Sequence, residues 1–206
     1  MRKWWKQYQV DVPEGRSGDW EVSKFSISKE EADHYNAMAS FNFTTRGSRI
    51  HPGNYTRLTC REKVVMSDTP MEVRDHLGVI ERAKGRVLVA GLGLGMVVRA
   101  CLDKSAVERV TVVENSPCVI ELVASHLYDK YGHNRLEIIE DDIFAWKMPR
   151  PPNPCFEIAW FDIWSTVCGD HVKEMTKLKR RFAKKAAWRG CWREWEMKRA
   201  NRSGRW

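Results

Sequence analysis

Gly91-Leu92-Gly93-Leu94-Gly95 follows an apolar run, Arg86 to Ala90, and opens a helical pattern over residues 95–103. Glycines at a strand-to-helix turn let the backbone bend sharply and approach a ligand without Cβ clashes. The helix start adds unpaired N–H groups and a partial positive charge. Alone, such a loop reads equally as a tight turn. Three carboxylates accompany it. Glu114 closes the second strand, 23 residues after Gly91, where an acidic side chain accepts from both hydroxyls of a ribose. Asp142 follows the third strand, where a carboxylate accepts from an exocyclic amino group such as that of adenine. Asp162 ends the fourth strand at the same rim. Carboxylates at three consecutive strand ends beside a glycine loop point to a nucleotide site. The spacing opposes a nicotinamide enzyme: Gly-x-Gly-x-x-Gly needs its third glycine at Met96, and here it falls at Gly95.

The elements that position these residues follow from periodicity. Buried-type strands are expected at Arg86–Ala90, Val107–Glu114, Leu136–Glu140 and Phe156–Phe161, with helices over 95–103 and Pro117–Tyr131 between them. Strands alternating with helices imply a parallel sheet covered on both faces, with ligands at the carboxyl ends of its strands. Thr69-Pro70-Met71-Glu72 fits a capping box that starts a helix running to about Lys84. Asp68, Glu72 and Asp75 read as cap and surface charges, or as charges reaching the pocket mouth. Upstream, Trp20–Ile27 alternates like a strand and Tyr55–Met66 like a hairpin or edge strand, while Thr44–Gly53 reads as loop. Pro149–Pro154 reads as a stiff connection. After it, 169–188 forms a helical pattern with Met175, Leu178 and Phe182 on one side.

The chain has 206 residues, enough for one full core. Its 43% hydrophobic and 30% charged residues indicate a soluble globular domain. No apolar run matches a membrane span or a secretory signal, so a cytoplasmic location without membrane contact is expected. The six cysteines form no Cys-x-x-Cys pair, and no histidine has metal-like spacing, so no metal site is expected. Residues 173–206 hold 13 Lys+Arg against 3 Asp+Glu, while the rest of the chain holds 22 against 24. The net charge of +8 therefore belongs to the C-terminal part.

These motifs resemble class I S-adenosylmethionine-dependent methyltransferases, and within them the spermidine-synthase-like branch. Val87-Leu88-Val89-Ala90-Gly91-Leu92-Gly93-Leu94-Gly95 is similar to that branch's Val-Leu-Val-Ile-Gly-Gly-Gly-Asp-Gly. Val110–Glu114 matches its ribose-binding strand, Ile138–Asp142 its adenine-side strand, with Asp141 the alternative to Asp142, and Phe156–Asp162 the strand bearing its active-site aspartate. The resemblance covers about residues 67–185. It implies an α/β Rossmann-like fold with helices on both faces, shortened after strand four. The fold would be preceded by a β-containing extension over 1–66 and followed by a basic, Trp-rich tail over 186–206. It implies S-adenosylmethionine, or its decarboxylated form, held by Gly91, Gly93, Gly95, Glu114 and Asp142. Two positions depart from the branch: Leu94 replaces an aspartate, and Ile163-Trp164-Ser165 replaces Ser-Ser-Asp, removing a second carboxylate.

Methyl transfer is expected, to an acceptor the sequence does not identify. Direct displacement needs chiefly an aligned acceptor. Asp162 is the candidate for orienting or deprotonating it. Trp164 is the candidate for facing the sulfonium or walling the acceptor site, with core packing as its alternative. Trp188, Trp192 and Trp195 recur at helical spacing among arginines. The tail therefore reads as a docked amphipathic helix or a nucleic-acid contact. The competing functions are an aminopropyltransferase and a non-catalytic nucleic-acid-binding or assembly protein. Exposed tryptophans near either end leave a homo-oligomer open.

Overall fold

The computed structural model describes residues 4–41, 49–148 and 155–203. Half of the loop read at Thr44–Gly53 (44–48) and all of Pro149–Pro154 lie outside them. The chain begins with a short 3-10 helix, Trp4–Tyr8, and an antiparallel sheet of β1 (Gly15–Ser17), β2 (Trp20–Ile27), β3 (Gly53–Cys60) and β4 (Lys63–Ser67), with α1 (Lys29–Phe41) between β2 and β3. The second unit is α2 (Pro70–Arg82), β5 (Gly85–Ala90), α3 (Met96–Leu102), β6 (Val107–Glu114), α4 (Pro117–Arg135), β7 (Leu136–Glu140), β8 (Phe156–Phe161), α5 (His171–Arg181), β9 (Ala186–Cys191) and α6 (Glu194–Ser203). Its five strands are all parallel, in the order β7-β6-β5-β8-β9. This is the expected Rossmann-like α/β sheet.

β5 lies at the centre. Val87, Leu88, Val89 and Ala90 are all buried, so both faces are covered and the strand reads as one apolar run. α2, α3 and α4 pack in succession, while α5 and α6 pack together. Right-handed crossovers explain the division. The chain moves outward from β5 through β6 to β7, then returns to β8 and β9 on the other side. The reversal beside β5 opens a crevice at the carboxyl ends.

The sequence reading of a helix and basic tail after Asp162 is corrected. Ala186–Cys191 is a fifth parallel strand on β8, and α6 follows it. The parallel sheet thus has one strand beyond the four expected. The basic composition hid β9, because Arg189 and Gly190 interrupt its apolar residues. Gly190 is required by packing: a Cβ there would lie 2.3 Å from the Trp188 ring and 2.9 Å from that of Trp160. These indoles stack at 6.3 Å with 6° between planes. Trp188, Trp192 and Trp195 therefore share no helix face. They lie in the strand, just after it, and in α6.

The antiparallel sheet is held against this crevice. Arg61 and Glu62 both have positive φ, 48° and 65°, as a two-residue hairpin turn between β3 and β4 requires. Neither is glycine, and the turn is anchored by Arg61 Nε donating to Asp19 at 2.7 Å. The expected capping box at Thr69 does not form. Thr69 makes no side-chain cap bond, and its hydroxyl pairs with Ser67 at 3.0 Å. Asp68, expected as a surface charge, is buried and accepts from Val10 N at 3.1 Å and Thr56 N at 2.7 Å. This fixes the exit of β4 and the start of α2.

Cys191, Trp192 and Met197 are buried at 4%, 7% and 0% exposure. Truncation after Lys185 is therefore expected to abolish cooperative thermal unfolding followed by circular dichroism. A wild-type-like transition in the truncated chain would show that 186–203 is only an appendage.

Candidate functional site

The glycine loop is shaped first by the protein itself. Gly91 has φ +94°, and a Cβ there would stand 2.0 Å from the Asp162 carbonyl oxygen. Asp162 N donates to the Ala90 carbonyl at 2.8 Å, so the ends of β5 and β8 nearly touch. Gly95 faces inward, where a Cβ would meet Leu127 at 2.8 Å, and it does not line the cavity. Gly93 differs. A Cβ there would lie 2.2 Å from Met66 Sδ, and that thioether accepts the Leu94 N–H at 3.1 Å. A side chain of β4 thus occupies the space the loop leaves open. Leu94 is itself fully buried, which accounts for an apolar residue where the related pattern has an aspartate.

A cavity of about 550 Å³ opens beside this loop, a size suited to a small molecule. Gly91, Gly93, Glu114, Asp141, Asp142, Asp162 and Trp164 all line it. The expected residues other than Gly95 are therefore brought together. Glu114 is 8% exposed. Its Oε2 accepts from Leu92 N at 2.7 Å and its Oε1 from Ser116 N at 2.8 Å. Each oxygen keeps a further lone pair for a ligand hydroxyl. Asp142 is exposed, with Oδ1 accepting from Phe144 N at 2.9 Å, while Asp141 accepts from Asp142 N at 2.7 Å. Trp164 is buried and its Nε1 donates to Glu174 at 2.7 Å. It is at once packed and part of the wall.

The opposite wall is acidic. Glu72, read as a cap, lines the cavity with Asp162. Asp75 stands 3.6 Å from Arg193. Between them His76 is fully buried, with Nε2 at 3.6 Å from Asp162 and 3.9 Å from Glu72. Burial, with the Asp75 charge alongside, pushes Glu72 up to about 7 against the pull of Arg193. Burial also pushes Asp75 up to about 6. Asp162 is held well above the ordinary carboxyl range, by burial first and then by Glu72, Asp75 and Glu114. Burial pushes His76 down to about 3, so its ring is neutral.

Sequence reasoning did not find Met66, Trp20 and Trp192 as cavity residues, nor His76 beside Asp162. Met66 and Trp20 arrive from the antiparallel sheet and Trp192 from the end of β9, contacts that no local pattern records. The spacing of Glu72 and His76 on one face of a helix before the first parallel strand was the available signal. No described group of His, Cys, Asp and Glu is arranged to hold a metal ion.

No protein-family model and no curated protein sequence matches the chain. Among solved structures it is similar to the dimethyladenosine transferase of Plasmodium falciparum, at 22% identity and TM-score 0.36 over 46% of this chain and 32% of that one. It is also similar to the CcbJ methyltransferase of Streptomyces caelestis, at 19% and 0.42 over 53% and 42%. The 23S rRNA methyltransferase ErmE aligns at 23% and 0.34 over 53% and 38%. The chain thus spans less than half the length of each.

The acidic wall sets a pH dependence. A carboxyl whose folded-state pKa is raised favours folding while protonated. The contribution of Glu72 is intact below about 4.5 and lost as pH rises through about 7. Glu72→Gln is therefore expected to gain on wild type across that interval, by about 3 kcal/mol in denaturant unfolding. A stability difference that does not change with pH would contradict the burial of this charge.

Proposed function

We propose that the chain binds S-adenosylmethionine in this cavity and transfers its methyl group to an acceptor at Asp162. The observation that carries this reading is Glu114. A buried carboxylate at the end of β6, tied to the glycine loop through Leu92 N, presents lone pairs to a cavity of about 550 Å³. That geometry suits a vicinal diol. Glu114 would hold the ribose hydroxyls, Asp142 with Asp141 the exocyclic amine, and the backbone of Gly91 and Gly93 the space between. The residues present fit the cofactor, with one adjustment: the Met66 thioether must leave the Leu94 N–H if the ligand is to take it. When bound, the cofactor supplies a methyl group activated by a sulfonium. Asp162 orients the acceptor, and Trp164 walls the reacting centre from water.

One observation favours a second reading, aminopropyl transfer from the decarboxylated cofactor. The carboxylate absent from the sequence after Asp162 has a counterpart in kind: Glu72 from α2 lines the same cavity. The two readings differ in product, S-adenosylhomocysteine against methylthioadenosine. Nucleic acid is one acceptor class to test, because Lys173, Lys177 and Arg180 are exposed along α5, and Lys177 lies 5.3 Å from the ring of cavity residue Phe144. No described helix is long and apolar enough to cross a membrane.

Calorimetry with S-adenosylmethionine tests the first reading. Wild type is expected to bind, and Glu114→Ala to bind about 50-fold more weakly, as loss of charge-assisted hydrogen bonds implies. No binding by wild type, or equal affinity in the variant, would overturn it.

A further inference from the structure

Beside the acidic wall, α2 and the β8–β9 edge hold buried polar atoms that make no hydrogen bond among the described residues. Both ring nitrogens of His76, Nε1 of Trp160, Nε1 of Trp192 and Nε of Arg193 are buried with no hydrogen-bond partner among the described residues. Unsatisfied buried polar groups are rare and costly. Of these, Trp192 lines the cavity and His76 stands beside the cavity carboxyls Asp162 and Glu72. Arg193, just after β9, has φ +45°, a conformation rare for a side chain of its kind.

The edge-on contact of His76 with Trp160, at 5.9 Å and 78°, orients the ring. Nε2 then points to two carboxyls that line the cavity, Asp162 at 3.6 Å and Glu72 at 3.9 Å. Both lie just beyond hydrogen-bond range, and a shift of about half an ångström closes the nearer one. A neutral imidazole with its proton on Nε2 donates one hydrogen bond and carries no charge. Two carboxyls held this near one another in a buried space do not ionise independently; they titrate as a pair.

We propose that His76 is a positioning residue: its Nε2–H supports the ionised member of the Glu72–Asp162 pair, so that the pair faces the cavity with one negative charge. This rests on the cavity being a sulfonium nucleoside site, where one charge favours the cation and two would strand excess charge. The groups that face the pair are Asp75 on α2, Glu114 at the end of β6 and Arg193 after β9, with Arg74 and Glu196 acting on Asp75. Arg193 is engaged by Asp75 and by Glu196. The neutral imidazole stands 3.6 Å from Asp162 and acts through it.

The sulfonium cation S-adenosylmethionine and its neutral product S-adenosylhomocysteine report the charge of the pair. Their affinity ratio, measured by calorimetry from pH 5 to 9, is expected to shift toward the cation as the pair loses its first proton. In His76→Phe the midpoint of that shift is expected to rise by about one pH unit, because the donor to the carboxylate is gone. His76→Gln, which keeps an N–H, is expected to restore it, and Glu72→Gln to lower it. The carboxyl carbon shifts of Glu72 and Asp162, followed by NMR in the ligand-free protein, are expected to give the same midpoints. A protein that binds neither nucleoside overturns the methyl-transfer reading; the NMR titration then decides the role of His76 alone. Midpoints that are unmoved in His76→Phe, with only the melting temperature lowered, would reduce His76 to a packing residue and overturn the proposal.

Discussion

The Glu114 carboxylate is the interaction on which the site depends. It reaches back from the end of β6 to Leu92 N and forward to Ser116 N, joining the glycine loop to the start of α4. Backbone N–H groups stabilise a buried anion without adding a counter-charge. The glycine loop is thereby held open on its cavity side, while Gly91 brings it against the end of β8 on the other. Asp162 needs no further device to reach the cavity. The carbonyl contact that excludes a Cβ at position 91 puts it there.

α2 carries two duties that follow from helical periodicity. Val73, Val79 and Ile80 bury one stripe of it, while Glu72, Asp75 and His76 fall at spacings that turn them toward the crevice. The result is an acidic wall inside a chain of net charge +8. Among the described residues, Arg193 is drawn in against Asp75.

The parallel strands were legible because burial on both faces leaves an unbroken apolar run; β6, β7 and β8 have the bounds their composition suggests. β9 was not, because an edge strand with Arg189 outward and Gly190 under two indoles has no such run. The cavity lining was legible at strand ends, at Gly91, Glu114, Asp142 and Asp162. It was illegible where side chains meet across long sequence separations, as Met66 does with Leu94 and His76 with Asp162. Of the two readings of Glu72, cap or pocket mouth, the cavity lining matches the second. Its position three residues after Thr69 fits a cap, but Thr69 turns its hydroxyl to Ser67 and leaves the carboxylate free to face the cavity.

A crystal structure of the chain with S-adenosylhomocysteine tests this account most directly. It predicts the ribose diol on Glu114, the adenine beside Asp141 and Asp142, and Met66 displaced from the Leu94 N–H. Nucleoside density away from the β5–β6 rim, or a Glu114 carboxylate with no ligand contact, would contradict it.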